Sequence, residues 1–417
     1  MTAILSFFLY KFLRQGHLEV QTADGETRTF GDGSGPLLSV KIADRAAERV
    51  LALNPELALG ELFMDGRVDL VNGDLYDLLE LAARNLAAYR NPGWITLLQK
   101  ARVALRRVHQ RNDRARARRN ISQHYDLDRR LYRLFLDADW QYSCAYFERP
   151  GQSLEEAQLA KKRHLAAKLL IDEGMRVLDI GCGFGGLGLY LAQNTGARVV
   201  GVTLSEEQHA VARDRVRDAG LSERVDFRLQ DYRDVEGPFD RLVSVGMFEH
   251  VGAARFDEYF AHVRRLLAGD GVMVLHAIGR SDPPGATNPW IEKHIFPGGY
   301  IPAVSEVLAA VERQGLYVTD IEMLRLHYAD TLRIWRQRFL ARREEAKAMY
   351  DERFCRMWEF YLAGSESAFR VDGHMVFHIQ IARRQDVVPR TRDYIAEREA
   401  QLRRHEGPAA NPWRQTG

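Results

Sequence analysis

One stretch constrains the fold of this chain more than any other. The apolar run Val177-Leu178-Asp179-Ile180 leads directly into Gly181-Cys182-Gly183-Phe184-Gly185-Gly186. A short β-branched run ending in clustered glycines predicts a strand, a tight turn and the start of a helix, with the backbone open to close approach by a ligand. From about Gly174 the pattern repeats. Apolar runs at Arg198–Val202, Val225–Leu229, Phe239–Val245 and Gly271–His276 alternate with longer helical segments. This rhythm predicts an α/β fold, a doubly wound sheet with helices on both faces and its ligand site at the carboxyl ends of the strands.

The remainder of the 417 residues exceeds one core, since domains hold about 100–200 residues. The expected division is an N-terminal α+β domain over 1–95, a basic linker over 96–125, the main α/β domain over 126–390 and a charged tail over 391–417. Within 1–95, His17–Val20 is strand-like and Gly73–Tyr89 helical. The linker crowds Arg102, Arg106, Arg107, Arg111, Arg114, Arg116, Arg118 and Arg119. Such a run is either a solvated face or a surface that adheres to anionic lipid headgroups. No aromatic-interleaved basic motif accompanies it, so no nucleic-acid partner is expected.

Cys144, Cys182 and Cys355 are the only cysteines. Three thiols make no disulfide framework, which favours a reducing cytoplasm, and no Cys/His cluster has zinc spacing, so no metal is expected. The apolar stretch Ile4–Tyr10 is far short of the roughly 18 residues that span a bilayer, and Lys11 and Arg14 follow it closely. It reads either as a short amphipathic helix touching membrane or as a helix packed on its own domain.

A glycine-rich turn alone also suits dinucleotides. Two features favour S-adenosylmethionine instead: the acidic Asp179 precedes the glycines, and the pair Asp231-Tyr232 follows the third strand. There a carboxylate can accept from an adenine amino group and a ring can flank the base. The end of the second strand, Gly201-Val202-Thr203-Leu204-Ser205-Glu206-Glu207-Gln208, lacks an acidic residue for ribose hydroxyls. Thr203 and Gln208 can supply hydrogen bonds in its place, with Ser205 as the cap of the next helix.

The segment around Thr203–Gln208, together with Gln141–Phe147, Val245–Gly252, Ile295–Pro302 and His327–Trp335, resembles the cyclopropane fatty-acyl-phospholipid synthases and the related mycolic-acid cyclopropane synthases. The likeness runs in order over roughly Asn120–Arg370. Residues 1–119 resemble the extra domain of the phospholipid-acting members. The resemblance implies a class I S-adenosylmethionine-dependent methyltransferase sheet. Tyr142, Ser143, Gly181, Gly183, Thr203, Leu204, Gln208, Asp231 and Tyr232 would contact the cofactor. A bicarbonate ion would be held beside the methyl group by Cys144, Glu249, His276, the Ile278 backbone and Tyr328. It further implies a homodimer that works at the inner face of the membrane, on unsaturated acyl chains of phospholipid.

That chemistry makes sense of the residue types. An alkene attacking a sulfonium methyl becomes a carbocation, and a proton of the new methyl must leave before a ring closes. The site must be dry, tolerate positive charge and present a base. Tyr146, Phe147, Phe296 and Tyr361 are candidate walls for the acyl chain, or ordinary core residues. In one place the sequence departs from the family: Ser365 stands where phospholipid-acting relatives carry a cysteine, and serine is a far weaker nucleophile than a thiolate. Alkene methylation without ring closure, giving methyl-branched or methylene fatty acids, is therefore the alternative. Methylation of an amine or sterol-like small molecule needs no bicarbonate set, and a non-enzymatic lipid-binding role leaves the glycine turn unexplained.

Overall fold

The computed structural model describes residues 1–88 and 127–406. The basic run Arg102–Arg119 and residues 407–417 of the tail lie outside them. The chain divides into two compact units: the described parts of Met1–Ala104 with Ala286–Pro297 and Leu332–His374, and those of Leu105–Gly285 with Gly298–Thr331 and Met375–Gly417. The units therefore do not follow the linear boundaries expected from composition. Two later segments belong with the N-terminal one.

The first unit holds helix α1 (Ala3–Phe12) and a four-stranded sheet in the order β2-β1-β3-β4, where β1 is His17–Gln21, β2 Thr27–Gly31, β3 Leu37–Ile42 and β4 Val68–Asn72. Leu18, Val20, Leu38, Val40 and Ile42 alternate into a core with Leu5, Leu9 and Leu13 of the α1 segment, as period-2 strands and an amphipathic helix require.

The second unit holds a seven-stranded sheet, β10-β11-β9-β8-β5-β6-β7. Its strands are β5 (Arg176–Ile180), β6 (Arg198–Thr203), β7 (Val225–Leu229), β8 (Phe239–Val245), β9 (Leu267–Arg280), β10 (Tyr317–Met323) and β11 (His374–Ala382). β5 pairs in parallel with both β6 and β8, so the strand order reverses there and a crevice opens at the carboxyl ends. The five apolar runs seen in the sequence are β5 to β9. β10 and β11 pair antiparallel at the far edge and extend the sheet beyond the strands predicted. The tail carries the helix Asp393–His405, which buries Tyr394, Ile395 and Leu402 against the sheet's helical layer.

Packing beneath the turn is close. Phe227 on β7 is buried, and a Cβ built on Gly201 of β6 would lie 2.5 Å from its ring and 2.8 Å from Cys182 Cβ. Real side chains do not tolerate that approach, so Gly201 is required by close strand packing beside the ring. Gly201→Ala should lower unfolding stability by about 1–3 kcal/mol, read as a lower urea midpoint. Gly269→Ala, where a Cβ meets nothing within 4 Å, should leave the midpoint unmoved.

Candidate functional site

A cavity of about 150 Å³ opens at the carboxyl ends of β5 to β8. All nine residues expected around a cofactor line it: Tyr142, Ser143, Gly181, Gly183, Thr203, Leu204, Gln208, Asp231 and Tyr232. The floor is the glycine turn. The amides of Gly181 and Cys182 both donate to Val202 O, at 2.9 and 3.0 Å, which pins the turn to β6. Gly183 has φ +53°, and a Cβ there would meet nothing within 4 Å, so at this position glycine answers a backbone conformation and leaves the wall open to a ligand.

At the end of β6, Thr203 Oγ1 donates to Gln208 Oε1 at 3.1 Å and accepts from Ser205 N at 3.2 Å. Ser205 caps the next helix by accepting from Gln208 N, as its position before the acidic first turn predicts. With its carbonyl oxygen engaged, Gln208 keeps its NH2 as a donating group. After β7, Asp231 accepts from Arg233 Nε at 2.9 Å and Nη2 at 2.5 Å. Arg233 N also donates to Asp231 Oδ1, at 3.0 Å, and the guanidinium orients the carboxylate. Asp179, also on the cavity wall, is buried with Oδ2 unpartnered, and burial pushes its carboxyl up to about 7.

The segment before the sheet enters through Trp140, which adopts φ +57°. Gln141 and Ser143 are held from behind by Lys161, whose Nζ donates to Gln141 Oε1 and Ser143 Oγ, both at 2.7 Å. This ammonium is wholly buried and burial brings it down to about 8. Lys161, in the basic run Lys161-Lys162-Arg163-His164, was not singled out in the sequence. All four are buried.

The five residues expected around bicarbonate are all placed in this unit. Two meet directly: Glu249 Oε1 accepts from Ile278 N at 2.6 Å. Glu249 Oε2 is buried without a partner, and burial raises the carboxyl to about 7. Its neighbours Met247 and His250 line the cavity, which puts Glu249 at the cavity's margin. His276 Nδ1 instead pairs with Nε2 of His378 at 2.8 Å, a partner that the sequence did not reveal. The Cys144 thiol donates to Ala145 O at 3.2 Å, and burial pushes it far above the usual thiol range. Ala145 N donates to Thr331 Oγ1 at 3.1 Å, one turn beyond the buried Tyr328 on helix His327–Ala341.

The aromatic candidates separate. Tyr146 stacks between His164 and His327, at 4.3 and 4.9 Å, and Phe147 lies near His327. Phe296 and Tyr361 meet edge to face at 5.8 Å in the first unit. Ser365 is half-buried on helix Glu352–Val371 of that unit. Cys355 on the same helix is buried, with its thiol pushed up to about 11. Neither offers a thiolate.

Glu249 has a thermodynamic signature. Its ordinary value is 4.5 and the fold raises it to about 7, so the folded protein keeps a proton that the unfolded chain releases. Its contribution to stability is fully present below pH 4.5 and is lost as pH rises towards 7. Glu249→Gln keeps an oxygen for Ile278 N and removes this loss. The fall in unfolding free energy across that window should shrink by on the order of 3 kcal/mol, measured by urea unfolding at each pH.

Comparison with known proteins places these features in a family. A family model described as mycolic acid cyclopropane synthetase matches residues 112–379, and one for a domain of unknown function matches residues 8–91. The chain is 39% identical over 329 residues to the cyclopropane-fatty-acyl-phospholipid synthase of Escherichia coli strain K12, covering 78% of this chain and 83% of that protein. It is 36% identical over 365 residues to a probable fatty acid methyltransferase of Pseudomonas putida, covering 86% and 90%. A mycolic acid cyclopropane synthase solved with SAH and CTAB superposes with TM-score 0.60 at 35% identity, over 63% of this chain and 97% of that one. The matched region contains the whole cavity, Glu249, His276 and Tyr328, and the chain belongs to the mycolic acid cyclopropane synthetase family.

Proposed function

We propose that this chain uses S-adenosylmethionine to alkylate the cis double bond of unsaturated acyl chains in phospholipid and closes the product to a cyclopropane. The observation that carries this reading is the buried, half-satisfied carboxyl of Glu249 at the margin of the cofactor cavity. Methyl transfer to an amine or hydroxyl needs no such dry acceptor, whereas ring closure must remove a proton from the transferred methyl.

The cavity suits the cofactor. Asp179, with an unpartnered buried oxygen, fits an ammonium, the Gln208 NH2 and Thr203 fit ribose hydroxyls, and the Asp231 carboxylate on the cavity wall fits an adenine amine beside the Tyr232 ring. When bound, S-adenosylmethionine supplies an electrophilic sulfonium methyl. The protein's own task is to exclude water, to tolerate the substrate cation and to receive a proton at Glu249 Oε2, whose near-neutral value suits a general base. For bicarbonate the fit is narrower. His276 can donate to an oxyanion and Glu249 can accept from a bicarbonate hydroxyl, while the Ile278 amide is already engaged by Glu249 and the Cys144 thiol by Ala145. The resemblance alone carries the homodimer, and the lack of an aromatic-interleaved basic motif carries the exclusion of nucleic acid.

The protein would act from the membrane surface. No described helix is long and apolar enough to cross a bilayer. Helix α1 supports this reading. Leu5 and Leu9 pack on their own domain, while Ile4, Phe7 and Tyr10 are exposed, at 45, 65 and 72%, beside Lys11. An apolar face flanked by cations fits an interface rich in anionic lipid.

The deciding experiment incubates the purified protein with S-adenosylmethionine and vesicles of cis-monounsaturated phospholipid and examines the extracted lipid by proton NMR. Upfield ring-methylene signals with loss of vinyl protons are expected. A new methyl or exocyclic methylene signal would assign the chain to alkene methylation instead, the reading that the Pseudomonas relative's name favours. Glu249→Gln should lower kcat about 100-fold or more with S-adenosylhomocysteine affinity unchanged by calorimetry. Phe7→Glu with Tyr10→Glu should abolish co-sedimentation with anionic vesicles while leaving S-adenosylhomocysteine binding intact.

A further inference from the structure

His276 and His378 stand on adjacent strands, β9 and β11. Their rings are 4.8 Å apart between centroids, and the Nδ1 of His276 lies 2.8 Å from the Nε2 of His378. Both are fully enclosed, with 2% and 0% of their surface exposed. Burial, reinforced for His276 by Lys161, His164 and Lys168, holds it well below the ordinary histidine range. Burial, then His276, Lys168, His164 and His327, does the same for His378. Both rings are therefore neutral, and a single proton lies between them. Two arrangements share that geometry. Either His276 donates from Nδ1 and keeps a bare Nε2, or His378 donates from Nε2 and leaves His276 with its proton on Nε2.

The far nitrogen of His378 decides. Its Nδ1 is buried and meets no donor or acceptor of the protein. A buried N–H without a partner is rare and costly, and an unmet acceptor is better tolerated. The bare lone pair therefore belongs on His378 Nδ1 and the proton on its Nε2. A metal does not take up that lone pair. Although His164, Glu322 and His378 converge, Lys168 Nζ sits 2.5 Å from Glu322 Oε2, and both nitrogens of His164 are bonded to carboxylates, Glu322 and Glu399. The cationic place there is filled by the protein.

We propose that His378 is a positioning residue that fixes His276 as its Nε2–H tautomer, making His276 a hydrogen-bond donor to an oxyanion in the site and leaving proton acceptance to Glu249. The proposal rests on the functional reading above for the presence of that oxyanion. It divides the work of the two buried groups. His276 holds negative charge in place from Nε2–H, and the methyl proton leaves to the partnerless oxygen of Glu249. Neither imidazole changes protonation during turnover.

The test reads the tautomer directly. Full-length protein labelled with 15N-histidine is examined by long-range proton–nitrogen correlation, and the two rings are assigned by the signals lost in His276→Gln and His378→Gln. Expected are N–H at Nε2 and a bare Nδ1 on both rings. A proton on His276 Nδ1 overturns the proposal and leaves cyclopropanation standing. Turnover supplies the second readout. His378→Met should lower kcat about 10–100-fold with KM for S-adenosylmethionine unchanged. His378→Gln, whose amide N–H replaces Nε2–H, should recover most of that loss. A Gln variant as slow as the Met variant, with cofactor affinity intact in both, counts against the donor role. Wild-type protein that shows the expected tautomer but leaves unsaturated lipid untouched overturns the functional reading instead.

Discussion

The cavity wall depends on a helix whose buried face is charged. Helix Leu154–Leu169 is capped by Ser153 and Glu156 in a reciprocal box and sends Lys161 to Gln141 and Ser143. Gln158 Nε2 donates to Ser143 O at 2.9 Å, and Lys162 Nζ to Asp139 Oδ2 at 2.6 Å. Charges inside a protein are costly unless paired and hydrogen-bonded, so these side chains tolerate burial only while residues 139–143 stay where they are. The polar helix face and the cofactor wall hold each other in register. That coupling explains why a non-glycine residue, Trp140, can be held at positive φ at the entry to the segment.

The same unit sorts its acids by environment. Asp139 is partly buried, which would raise it, yet Lys162 and Arg215 hold it well below the usual carboxylate range. Asp179 and Glu249 have no such partners and are brought near neutrality by burial alone. Pairs of like groups pushed apart by their surroundings are how one fold assigns structural and chemical roles. Asp139 anchors, and the other two each keep a buried oxygen without a partner, Asp179 on the cavity wall and Glu249 at its margin.

Much of the site was legible because it lies next to strand ends in sequence. Gly181, Gly183, Thr203, Gln208, Asp231 and Tyr232 each follow an apolar run within a few residues, and the doubly wound sheet gathers all such ends on one edge. Glu249 is read in the same way. Lys161 and His378 escaped because nothing local marks them. One sits in a run of four basic residues and the other in a C-terminal strand that pairs at the sheet's far side. Burial of either follows from contacts more than a dozen residues away in the chain. The same holds for the unit boundaries, where Ala286–Pro297 and Leu332–His374 join an N-terminal core that composition places entirely before residue 96.

By itself the sequence determined the fold class, the cofactor edge and the types of group available there, because period, turn chemistry and the alternation of strands with helices are local properties that survive in a one-dimensional pattern. The tertiary structure decided which groups are dry, which are partnered and therefore what each can do. Glu249 has the character of a base only because one oxygen is bound by Ile278 and the other is enclosed without a donor. The tautomer proposed for His276 depends on β11 bringing His378 against it. Desolvation and hydrogen-bond pairing arise from the neighbours that folding supplies, and those neighbours come from distant parts of the chain.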